Sequence, residues 1–132
     1  MRESVDTNVL LRAAIDLGDT QTILARELLA SPDKLLVVNP LVIAEFIHVV
    51  IGHYGLDRSQ ASTLVRWILA LESVEIDREV IESSLQVFEA HPKLSFEDAL
   101  LAEQADADDA LPLWTFDAKL SHQHPAARLV GA

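Results

Sequence analysis

The 132-residue chain has no cysteine. That excludes disulfides, thiolate metal sites and cysteine nucleophiles, and it suits a reducing cytoplasm, where the protein is expected to reside. Glycine is scarce, with four residues, so a compact, regular fold is expected rather than disorder. Long apolar runs are missing as well. The most apolar stretch, PLVIAEFIHVVIG (40–52), is too short to span a bilayer and carries Glu45 and His48. The opening MRESVD has no signal-peptide apolar core. No membrane partner is expected. Aromatics make up only 5%. Trp67 and Trp114 are isolated in sequence, so they read as core or interface residues and not as a base-stacking platform.

Positive charge is also in short supply. Ten Lys and Arg stand against 21 Asp and Glu, for a formal net charge of -11. That balance repels phosphate backbones and argues against loose electrostatic binding of nucleic acid. The asymmetry is internal too: residues 1–66 hold 8 acids and 6 bases (-2), residues 67–132 hold 13 acids and 4 bases (-9). Such a chain suits a cation or a basic partner, or it is merely well solvated.

What is present is a chain half hydrophobic, long enough for one domain, 1–132, with a real core. It contains no repeat, low-complexity tract or linker. SVD (4–6) reads as a very short strand, followed by a helix from Thr7 to about Ile15. A second helix starts at Asp19 or Thr20 and runs to about Ala30. KLLVVN (34–39) is a buried-strand run, and Asn39 then caps a helix with Pro40 at its first position. Asp57-x-x-Gln60 resembles a capping box and opens a helix with Ala61, Leu64, Val65, Ile68 and Leu71 on one stripe. SVEI (73–76) is strand-like, and Asp77 caps a helix with Ile81, Leu85 and Phe88 inward. HPKLS connects to a second capping-box-like start, Ser95-x-x-Asp98. LPLWT (111–115) is a strand, FDAKLSH a helical turn and ARLV (127–130) a last strand. Strands alternating with helices predict an α/β fold with a mostly parallel sheet.

In such sheets ligands sit beyond the carboxyl ends of the strands. Four acids fall in suitable places. Asp6 ends the first strand. Asp117 lies just past LPLWT. Asp98 is in the first turn of the helix entering that strand. Glu45 sits on a helix apolar nearly all round, where its carboxylate is expected to be at least partly buried, and thus paired, protonated or bound to metal. Each has a plainer reading: Asp6 as a helix cap, Asp98 as a first-turn acid favoured by the helix dipole, Asp117 as a turn residue, Glu45 as a paired interior acid. If the four converge, their repulsion is large. At an effective dielectric of about 20, two charges about 4 Å apart cost about 4 kcal/mol, and a divalent cation among them would offset it. Hard oxygen donors without thiolate point to Mg²⁺ or Mn²⁺, and phosphodiester hydrolysis is the natural chemistry of such a site.

VDTNVLL, the acid in VIAEFIHVVIGHYGL, SFEDALLAEQA and LWTFDAKL, in this order and at these spacings, resemble the PIN domain, and more closely the VapC-type ribonuclease toxins. The resemblance covers almost the whole chain. It implies a three-layer α/β/α sandwich around a central, mostly parallel sheet, and a Mg²⁺- or Mn²⁺-dependent endoribonuclease. Carried over by motif, Asp6, Glu45, Asp98 and Asp117 would be the catalytic, metal-site acids. Thr7 and Thr115 would be supporting hydroxyls, and Asn8 an orienting amide. The implied partners are an RNA substrate, a cognate antitoxin whose tail occludes the acidic site, and a second copy of the chain. The helix 40–51 and the stripe on 59–71 offer more apolar surface than one small sheet needs. Glu97 stands where this family more often has a small residue, and it reads as solvated. Arg12 and Lys119 are the nearest phosphate-contact candidates.

Other readings rank lower. A phospho-acceptor signalling domain would use Asp77 as acceptor, Asp6 for Mg²⁺ and Thr115 as switch, but it leaves Glu45 and Asp98 unexplained and lacks an adjacent acidic pair. A PIN-like module without activity would keep the fold alone. Glu45-x-x-His48 is half of a di-iron pattern with no second half, so His48 reads as a packed helix residue. His122-Gln123-His124 reads as a loop. DADD (106–109) lacks the Gly and distal Glu of a calcium loop and reads as a solvated helix end.

Overall fold

A computed structural model describes residues 1–15 and 17–131. The chain forms two compact units, Met1–Ile76 and Asp77–Ala132. Each contains parallel strands connected through helices, so the class is α/β, as expected.

The first unit runs β1 (Arg2–Ser4), α1 (Thr7–Ala14), α2 (Thr20–Leu29), β2 (Leu35–Val37), α3 (Pro40–Gly52), α4 (Arg58–Leu69) and β3 (Val74–Glu75). The strands form one parallel sheet in the order β1-β2-β3. Leu36, on the central strand, pairs with Glu3 on one side and Val74 on the other and is fully buried. The helices begin where the sequence places short polar side chains that satisfy free backbone N–H groups. Asp6, Asp19, Asn39 and Asp57 are the caps. Pro40 occupies the first turn of α3, and Asp57 and Gln60 close a full capping box on α4. Leu10, Ile43, Phe46, Val50, Val65 and Ile68 fill the core.

Three expectations shift in this unit. The first strand lies at 2–4, not 4–6, because Asp6 already turns into its capping role, although the Val5 N–H still reaches the Val37 carbonyl at 3.4 Å. Glu45 and His48 are exposed, not interior. The helix α3 buries Ile43, Ala44, Phe46, Ile47 and Val50, while Leu41, Glu45 and His48 follow at helical spacing along its solvent side. Most of the apolar surface of α3 and α4 is thus used inside the unit, though Leu41 stays 72% exposed. Trp67 lies partly in solvent, which leaves the interface half of its reading.

The second unit runs α5 (Arg78–Ala90), α6 (Phe96–Ala107), β4 (Leu113–Thr115), α7 (Ala118–Gln123) and β5 (Ala127–Leu129). Asp77, Ser95 and Asp117 cap its helices. The helices α5 and α6 pack through Ile81, Leu85, Phe88, Phe96, Ala99 and Ala102, with Phe88 and Phe96 edge to face at 5.9 Å. β4 and β5 are parallel, and α7 bridges them. Leu94, Leu120 and Ala127 form a second buried cluster, joined by Val87 and Leu113. The DADD segment is a solvated helix end, as expected: Asp108 caps α6 and Asp109 adopts a left-handed backbone, φ 54°.

His122 and Gln123 fall in α7 and not in the loop expected for them, whereas the loop reading holds for His124, which follows the helix as its C-cap. It is buried, its Nδ1 accepts the Ala126 N–H at 3.0 Å, and its Nε2 lies 2.6 Å from Glu103 Oε2. The Nδ1 contact leaves the ring proton on Nε2, which donates to Glu103. The histidine therefore ties α6 to the turn before β5.

Candidate active site

In the first unit, Asp6 lies two residues past the end of β1 and caps α1. Its Oδ1 accepts the N–H groups of Asn8 at 3.1 Å and Val9 at 3.3 Å. Asn8 thus supports the Asp6 carboxylate through its backbone. Thr7 is buried beneath this turn, and its hydroxyl donates to Glu45 Oε2 at 2.5 Å. One residue therefore joins the two sequence-predicted acids of this unit. The Thr7 backbone follows Asp6, and its side chain holds the otherwise solvated Glu45 carboxylate against the start of α1. The positive end of the α1 dipole favours negative charge there.

A groove of about 360 Å³ opens beside Asp6, between α1 and α2, lined by Asn8, Val9, Arg12, Gln21, Leu24 and Leu28 among others. Gln21, Leu24 and Leu28 carry no sequence motif, and only their helical spacing, one face of α2, could have marked them. Arg12 is already engaged: its guanidinium donates to Asp19 Oδ2 at 2.7 Å. The Thr22 amide, followed by the Thr22 hydroxyl and Arg12, holds the Asp19 carboxyl below the usual carboxylate range.

In the second unit, Asp117 caps α7. Its Oδ1 accepts the N–H groups of Lys119 at 2.9 Å and Leu120 at 3.2 Å. Its own N–H donates to Thr115 Oγ1 at 2.9 Å. Thr115 is therefore the supporting hydroxyl of this turn, acting on the Asp117 backbone. The Lys119 side chain is exposed, so it is available at the surface next to Asp117. Asp98 is half-buried in the first turn of α6, and its N–H donates to Ser95 Oγ at 3.1 Å. Glu97, its neighbour, is exposed, in keeping with a solvated role.

The site residues thus form two sets, Asp6, Thr7, Asn8 and Glu45 in one unit and Asp98, Thr115 and Asp117 in the other. Within either unit, among the described residues, no three His, Asp or Glu side chains gather into a metal-holding group. Each of the four acids offers hard carboxylate oxygens, three of them in the first turn or cap of a helix, a donor type that suits Mg²⁺ or Mn²⁺ and not a soft metal. Among the described residues no helix is long and apolar enough to cross a membrane.

No curated protein matches the chain. The family model of the PIN domain matches residues 4–124, a span that includes Asp6, Glu45, Asp98 and Asp117. PIN domains are generally nucleases. On that match, the chain belongs to the PIN domain family.

Proposed function

We propose that the chain is a Mg²⁺- or Mn²⁺-dependent endoribonuclease and the toxin of a VapBC-type toxin–antitoxin pair, with residues 1–132 acting as one PIN domain. The observation that carries the reading is the Thr7–Glu45 hydrogen bond, which fixes a second carboxylate beside the Asp6 cap. Asp6, Glu45, Asp98 and Asp117 would hold the metal. A bound metal would supply water activation and charge stabilisation at the phosphoryl group. The protein's own part is to orient and to compensate. Thr7 fixes Glu45, Thr115 fixes the Asp117 turn, and the starts of α1 and α7 add partial positive charge next to acids that must approach a phosphodiester. Lys119, and the Arg12 donors not used by Asp19, would contact phosphate. PIN membership displaces the signalling-domain reading, while an inactive PIN module remains an outcome of the test below.

That test is a calorimetric Mn²⁺ titration of the wild type against Asp98→Asn. Saturable binding in the wild type, weakened at least about 10-fold by the loss of one carboxylate charge, is the expected result. Its natural complement is a screen for RNA cleavage in Mn²⁺. No binding and no cleavage would leave a PIN fold without the chemistry.

The proposed partners follow the same logic. An antitoxin tail with a basic side chain would neutralise the acids, and its addition should abolish cleavage. Full activity in the complex would refute that role. A homodimer is proposed on exposed apolar side chains of the first unit, among them Ile23 and Leu24 on α2, Leu41 on α3 and Trp67 on α4. A monomer in sedimentation at tens of micromolar would refute it.

A further inference from the structure

The β4–β5 pair turns one face inward and one to solvent. Leu113 and Ala127, paired in register, belong to the buried cluster. The next pair, Trp114 and Arg128, is exposed. Phe116 and Val130, the residues directly after the two strands, are exposed as well, and the Val130 N–H donates to the Thr115 carbonyl at 2.9 Å. Trp114 is 57% exposed, Phe116 83% and Val130 42%. The Arg128 guanidinium carbon lies 5.7 Å from the Trp114 ring centroid, within the range of a cation–π contact. Two large aromatics left in water beside a cation call for a ligand with flat faces and negative charge. Phe116 directly precedes Asp117.

We propose that Trp114, Phe116 and Arg128 form a platform that stacks unpaired RNA bases and leads the strand to Asp117. The assignment of Asp117 to catalysis rests on the nuclease reading, but the platform itself does not. Base faces stack on aromatic and guanidinium planes without sequence preference, and Arg128 supplies the phosphate attraction that a chain of net charge -11 otherwise lacks. A second copy of the chain is a poorer occupant. Two partly exposed aromatics and two smaller stems offer on the order of a few hundred Å², against about 800 Å² per partner in a stable interface.

The test is binding of a labelled deca-adenylate to the full chain, by fluorescence anisotropy, in chelator and low salt so that cleavage plays no part. Phe116→Ala is expected to weaken binding at least about 10-fold with the salt slope unchanged, and Phe116→Trp to restore it. Arg128→Gln is expected to weaken binding and flatten the salt slope. An RNA duplex of equal length should bind more weakly than the single strand and ignore Phe116→Ala. All three side chains are exposed, and a thermal melt checks that the variants stay folded. The proposal falls if the wild type does not bind the single strand, if Phe116→Ala binds as the wild type does, or if Phe116→Ala lowers the sedimenting mass while RNA affinity stays constant. Cleavage in Mn²⁺ with affinity indifferent to Phe116 would sink the platform and leave the nuclease. Affinity that depends on Phe116 without any cleavage would do the reverse.

Discussion

Asp6→Asn is expected to lower RNA cleavage by about 10³-fold or more, equivalent to about 4 kcal/mol of transition-state stabilisation, while leaving the fold intact. Two roles meet at this residue, and the substitution separates them. As a cap, Asp6 uses Oδ1 to accept the Asn8 and Val9 N–H groups. An Asn side chain offers the same acceptor, and Asn ranks with Asp as an N-cap. Stability should therefore change by less than about 0.5 kcal/mol. As a proposed metal ligand, Asp6 needs its charge, which Asn lacks. Asp6→Ala loses both roles and should cost about 1 kcal/mol of stability in addition. Measured cleavage rates and thermal melts of the two variants, side by side, decide the matter. Full activity in Asp6→Asn would leave only the cap.

Phe96→Ala should act in the opposite manner, through the fold. Phe96 opens α6, is 2% exposed and meets Phe88 edge to face at 5.9 Å. Emptying that space is expected to cost about 3–5 kcal/mol, a large share of the roughly 5–15 kcal/mol that holds such a chain together. Asp98 lies in the same first turn, so the change would also loosen a proposed ligand. A urea titration should show a much lower midpoint. Glu97→Gln, one residue away but exposed, is expected to shift stability by no more than about 0.5 kcal/mol. Equal effects from the two would mean that Phe96 does not seat α6.

The helix starts were legible in the sequence because capping is local chemistry. Asp19, Asn39-Pro40, Asp57-Gln60, Asp77 and Ser95 each bond N–H groups within three residues, and a local pattern carries local information. The same holds for Asp6 and Asp117, so the candidate acids could be placed at the correct helix ends. Glu45 and His48 read as interior from the sequence because the helix around them is apolar in composition. Their spacing from Leu41 marks a narrow solvent stripe that composition conceals. The first strand was set two residues late because a three-residue strand hardly differs from the extended segment that follows it. Pairings between distant residues were out of reach. Neither the Arg12–Asp19 ion pair nor the His124–Glu103 bond has a sequence signature. The pairing of Trp114 with Arg128 emerges only when β4 and β5 are set in register.

The two parallel strand systems also differ in what they ask of the unfolded chain. Leu113 meets Ala127 across one short helix, whereas Arg2 meets Leu35 across two helices and Leu36 meets Val74 across two more. Loop-closure entropy rises only with the logarithm of length, so the longer crossovers cost less than about 1 kcal/mol extra each. They do cost time, because distant partners must meet before any pairing rewards them. The short β4–α7–β5 crossover can close early and by itself. The Asp117 turn then takes shape within a local motif, while Asp6 waits for the central strand β2 to join segments that are far apart along the chain.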